Sequence, residues 1–199
     1  MKKLILIAIL ISITQIGFSQ KSYRKEIKTF QNTINKEYAD TTESPLTKED
    51  LAVFKSLDFY PVKKKYRVVA GFTRTENAEP FKMKTTTDRA PEYVKYGEVT
   101  FTLKGKTVKV NIYQSMRLRD KEEYKDYLFL PFTDLTSGKT SYGGGRYVDL
   151  KIPKGNTIII DFNKAYNPYC AYNHKYSCVV PPAENFIDVE IKAGVKLKK

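Results

Sequence analysis

Histidine is almost absent from this 199-residue chain, where His174 stands alone. A zinc centre built on two or three histidines therefore cannot be assembled within one chain, and any Ser-His-Asp triad would have to use that one imidazole. Glycine loops for nucleotides are missing too. Gly138-Lys139-Thr140 has the ending of a phosphate-binding loop, but Thr133 stands where the upstream glycine is required. Gly143-Gly144-Gly145 lacks the third glycine and the following helix of a dinucleotide loop. No Gly-x-Ser-x-Gly elbow occurs. No cofactor is expected from these patterns.

Arginine is scarce among the cations: of 35 basic residues 28 are Lys and 7 are Arg, spread along the chain with small clusters at Lys63-Lys64-Lys65 and Lys196 to Lys199. Nucleic-acid readers use Arg for bidentate base contacts, whereas dispersed Lys forms a solvated, salt-screened exterior. Nucleic acid is not an expected partner. An anionic lipid or polysaccharide surface is the partner class such an exterior attracts.

What the chain does have begins with Lys2-Lys3 and the run Leu4-Ile5-Leu6-Ile7-Ala8-Ile9-Leu10-Ile11, the basic-then-apolar order of a secretory signal. Ser12, Thr14 and Gln15 interrupt the run, which falls short of the ~20 apolar residues of a spanning helix. Residues 1–20 are therefore expected to be a signal peptide cleaved near Phe18-Ser19-Gln20. The mature chain is expected to be exported, to the periplasm or the exterior, with no transmembrane span. Its formal charge then falls from +13 to +11, with 33 basic residues against 22 acidic ones.

Residues 21–199 are expected to form one domain. Tyr23, Ile27, Phe30, Ile34 and Tyr38 recur at helical steps and mark one face of a helix. Ser44-Pro45-Leu46 breaks that pattern, and Thr47 with Asp50 three residues later predicts an N-cap opening a second short helix through Leu51 and Phe54. From Tyr66 the chain turns to β-branched and aromatic runs: 66–72, 98–103, 107–113, 127–132, 147–152 and 157–162. Alternation on both sides of Lys104-Gly105-Lys106 predicts a hairpin. No helical pattern separates the strands, so the expected fold is mainly β: an antiparallel β-sandwich or a partly closed barrel after one or two short N-terminal helices.

Three blocks carry a resemblance. They are Thr133 to Tyr142 with Gly145-Arg146; Asp161 to Pro168 with Cys170-Ala171-Tyr172; and Pro181-Pro182 with Asn185. In order and spacing they resemble the signature of the bacterial and archaeal family called domain of unknown function 1684, over about residues 44–194. The resemblance implies a domain without an established reaction. Val195 stands where an acidic residue is usual in that family, Val179 where Pro is usual, and some relatives carry further N-terminal sequence.

The stretch from Asp161 to Cys178 holds both cysteines, the histidine and four tyrosines. Export and the short separation of Cys170 and Cys178 predict a disulfide, whose nine-residue loop is worth about 2.6 kcal/mol by chain entropy. The alternatives are a pair of free thiols and a metal site on Cys170, His174 and Cys178, evenly spaced by four and leaving a fourth position open. A second constellation, the candidate ligand-binding set, is Asp134, Arg146, Asp161, Asn163, Asn167 and Tyr166, all at or near strand ends where side chains converge on one rim. Arg146 is expected to pair with Asp161 or Asp134 beneath the cysteine loop. Its functional reading is a clamp for a carboxylate or phosphate; its structural reading is a fastening for a long loop. Tyr142, Tyr166, Tyr169, Tyr172 and Tyr176 are candidates for a stacking wall or for packing.

Two function classes follow. One is a non-catalytic binding module for a small ligand, a glycan or an envelope partner. The other is a hydrolase-type enzyme in which Asp134 and Asp161 act as a carboxylate pair with Arg146.

Overall fold

The computed structural model describes residues 2–197, with side chains described from Lys21 onward. The expected signal segment, residues 1–20, lies outside the described side chains. Helix α1 (Lys2–Ala39) is followed by α2 (Lys48–Val53), and Thr47 caps α2 by accepting the Asp50 amide at 3.1 Å on its hydroxyl. A sheet then takes up β1 (Arg67–Arg74), β2 (Phe81–Lys82), β3 (Glu92–Leu103), β4 (Lys106–Ser115), β5 (Tyr127–Asp134), β6 (Arg146–Lys151), β7 (Thr157–Asp161) and β8 (Phe186–Ile187), with α3 (Met116–Arg119) between β4 and β5. Among the described residues no helix is long and apolar enough to cross a membrane.

The sheet order is β6-β5-β4-β3-β1-β7, with β2 on β3 and β8 on β5. Every pairing is antiparallel except β5 with β8. Of the two expected arrangements it is the partly closed barrel that forms, a curled half-barrel. The β3–β4 hairpin turns on Lys104 and Gly105, both at positive φ (51° and 78°), which is the two-residue turn whose twist matches the strands. Alternation then puts Val99, Phe101 and Leu103 against Val108, Val110 and Ile112 on the concave side, all buried. A bulge between Lys95 and Gly97 adds one residue to β3 and bends it.

Between β4 and β5 the ladder is sparse, because Pro131 has no N–H to give. Asn185 splints the gap. Its side-chain amide donates to the carbonyls of Asn111 (2.9 Å) and Pro131 (2.7 Å), and its carbonyl accepts the Asn111 amide at 2.9 Å. The chain after β8 runs as an extended strap whose alternate residues Val189, Ile191 and Ala193 join Ile187 in the concave core with Phe132, Ile160 and Phe162. Ile191 is fully buried. Ile191→Ala should therefore cost roughly 2–5 kcal/mol in a urea melt, as cavity-forming core truncations do.

Candidate functional site

Arg146 opens β6 and enters the core directly after Gly145, whose φ is +87° and where a Cβ would press on Pro181 and the Phe132 carbonyl. Its guanidinium meets Asp134 Oδ1 at 3.2 Å, and neither side chain keeps any exposed area. It also donates to the strap carbonyls of Ile191 (2.9 Å), Ala193 and Val195 (3.4 Å). Asp134 Oδ2 accepts the Ile191 amide at 2.7 Å, and the Thr136 amide and hydroxyl complete the carboxylate's shell. Burial pulls the Arg146 pKa down and the Asp134 charge opposes it. The expected partner is thus present, but the segment above it is the C-terminal strap and not the cysteine loop. The strap supplies carbonyls at the spacing a planar guanidinium needs, and the cysteine loop packs elsewhere.

Asp161, at the far end of β7, has a different role. Tyr23 of α1 donates to both of its oxygens (3.0 and 2.9 Å), while the Asn163 amide and side chain donate at 3.0 and 2.9 Å. Asn163 also closes on Lys63 with its side-chain carbonyl and amide, both at 3.0 Å. The pair fastens the N-terminal arm and the 63–66 turn to the sheet. Asn167 ties the cysteine loop to the strap through Tyr172 and the Lys196 carbonyl, both at 3.0 Å. The six expected residues therefore do not share one rim.

The cysteine region also departs from expectation. Cys170 and Cys178 are buried free thiols, so the predicted disulfide is not formed in this structure. They are neighbours nonetheless: the Cys170 amide donates to Cys178 Sγ at 3.1 Å. Burial pushes the Cys178 thiol up to about 12, which keeps it protonated and slow to attack. His174 is exposed while both thiols are buried, and no group of three metal-ligating side chains occurs among the described residues. Tyr169 and Tyr172 pack edge-on against Tyr38 of α1, at 6.0 and 5.1 Å between centroids, so these loop tyrosines hold the arm.

The open feature is the seam of the half-barrel, where the outer strands β6 and β7 border a cleft of about 730 Å³. Asp161 lines it, together with Asp149, Tyr124, Tyr127, Lys151 and Lys154. Asp149 Oδ1 accepts the phenols of Tyr127 (2.8 Å) and Tyr166 (2.6 Å). Asp149 retains exposed surface, yet the surrounding protein desolvates it, and this raises its pKa against the two phenols, which lower it. Sequence reasoning missed Asp149. The available signal was a carboxylate at an outward position in Tyr147-Val148-Asp149-Leu150-Lys151, where alternation alone cannot tell a groove from open solvent.

Because Arg146 and Asp134 have no access to water, Arg146→Ala should cost about 3–5 kcal/mol by leaving the carboxylate unpaired. Denaturant melts of the variant check this, and a loss below about 1 kcal/mol would mark the pair as an exposed clamp.

A family model described as a protein of unknown function, DUF1684, matches residues 52–196. A solution NMR structure of an uncharacterized protein from Haloarcula marismortui is similar over 89% of this chain and 96% of that one, with 28% identity and a TM-score of 0.69. None of the curated proteins matches. The model hit spans most of the sequence and the half-barrel has a solved counterpart, and so the chain belongs to the DUF1684 family of proteins of unknown function.

Proposed function

We propose that this protein is an exported, non-catalytic binding domain that takes a small polar ligand or a glycan in the seam cleft. The observation that carries the reading is the cleft itself: about 730 Å³, within the range of small-molecule sites, with the Asp149 carboxylate in its lining. Asp149 Oδ2 has no hydrogen bond among the described residues and is available to accept from a ligand hydroxyl or N–H. Tyr124, 39% exposed at the rim, offers a ring face on which a sugar can stack. Three ion pairs in the wall, Lys151–Asp126, Lys164–Glu26 and Arg67–Asp161, hold its polar groups in place.

The hydrolase reading needs Asp134, Asp161 and Arg146 to meet a common substrate. Asp134 and Arg146 are spent on each other inside the core, while Asp161 borders the seam, so that constellation finds less support than binding. The Lys-rich exterior favours an anionic envelope surface as the place where the domain works.

A thermal-shift screen of sugars and small polar metabolites tests the reading, since a ligand of the native state raises apparent stability. Tyr124→Ala and Asp149→Asn should each remove the shift while leaving the ligand-free melt near that of the parent. A shift that survives both changes places the ligand elsewhere.

Export rests on the order of charge and apolar residues in 1–20. N-terminal sequencing of protein from the host envelope should begin near Gln20 or Lys21, and an intact Met1 would overturn it. In that compartment we expect an exported oxidoreductase to pass its disulfide to Cys170 and Cys178, which lose two electrons and two protons as their S–S bond forms and the carrier is left as a dithiol. Denaturation in an alkylating agent without reductant should then label neither cysteine; two labelled thiols would mean that the free pair persists after export.

A further inference from the structure

A smaller pocket of about 230 Å³ lies between α1, Asp149 of β6 and the loop residues Tyr166 and Tyr169. Its walls include four aromatic rings, Phe30, Tyr38, Tyr166 and Tyr169, and two carboxylates, Glu37 and Asp149. No basic side chain lines it, although the chain carries 28 lysines. Among the described residues no Lys or Arg lies over any of those four rings, while seven such contacts occur on other rings. The Tyr38 and Tyr169 rings meet at 75°, forming a corner. Tyr38 is only 1% exposed and packs edge-on against Tyr172, whose hydroxyl lies near its own.

From this we infer that the pocket between α1 and β6 is a binding site for a methylated organic ammonium. A ring face is negative, and a desolvated cation set against several faces is held by the sum of their quadrupoles. A quaternary ammonium carries no N–H to satisfy, so it suits a cage with aromatic walls and formal charge at the rim. Glu37 and Asp149 are both exposed lining residues; Glu37 forms no ion pair among the described residues, and Asp149 has phenols and no cation as partners. Glu37 and Asp149 both act on the Tyr169 hydroxyl, whose pKa is raised by burial first and by these charges after it. A bound ammonium would supply the counter-charge that neither carboxylate has.

The site is separate from the cleft and does not depend on the cleft's ligand, although Asp149 borders both. The test therefore uses residues found only in the pocket. Isothermal titration of the purified protein with tetramethylammonium and with choline should give saturable binding that 3,3-dimethylbutanol, the uncharged isostere of choline, does not reproduce. Glu37→Gln and Tyr169→Ala, both at exposed positions, should each weaken the affinity about tenfold, whereas Tyr124→Ala in the cleft should leave it unchanged. Co-sedimentation with phosphatidylcholine vesicles identifies the source: co-sedimentation lost in Tyr169→Ala assigns a lipid headgroup, and its absence beside tetramethylammonium binding assigns a free solute. No binding of either cation, equal binding of the neutral isostere, or pocket variants that bind like the parent would each overturn the assignment.

Discussion

The buried contact between Arg146 and Asp134 is the constraint on which the half-barrel depends. A half-barrel leaves its concave face open, and here the strap after β8 fills it with Ile187, Val189, Ile191 and Ala193. An extended strap brings carbonyls into the core that no sheet neighbour satisfies. Arg146 takes three of them on one planar group, and Asp134 both neutralises the guanidinium and accepts the strap amide of Ile191. Lysine could not do this, since its point charge lacks a fork of fixed donors. Burying two charges is costly, which is why the pair is surrounded by hydrogen bonds and by the faces of Phe132 and Tyr60.

The same principle repeats at lower cost around the molecule. Asp161 and Asn163 hold α1 through Tyr23, Asn167 joins the cysteine loop to the strap, and Asn185 replaces the ladder bond that Pro131 cannot make. Each is a buried polar side chain that binds backbone or a phenol from a distant segment. The polar residues of the signature blocks are thus largely consumed in assembly. Asp149 differs because its partners are two phenols that leave one carboxylate oxygen open beside a cleft, and desolvation raises its pKa against the lowering effect of those phenols.

Much of the framework was legible from local pattern. Alternation in Val99-Thr100-Phe101-Thr102-Leu103 and in Val108-Lys109-Val110-Asn111-Ile112 identified strands, Gly105 identified the turn between them, and Thr47 with Asp50 identified a cap, because each of these is decided within a few residues. The helical face from Tyr23 to Tyr38 was readable for the same reason. The strands β2 and β8 were not, since two-residue pairings leave no periodicity. Side-chain convergence was readable only in part. The Arg146–Asp134 pairing followed from charge and position, but its cover did not, because the strap approaches from about 45 residues further along the chain.

The sequence by itself determined the β-rich class, the hairpin, the helical arm, the lysine-dominated charge and the exclusion of histidine-based chemistry, all of which depend on composition or on neighbours within a turn. Only the tertiary structure decided which carboxylates are spent and which are available. Burial and hydrogen-bond satisfaction depend on groups far away in sequence, so Asp134 and Asp149, alike as strand residues in a one-dimensional reading, end as half of a sealed ion pair and as part of an open cleft's lining.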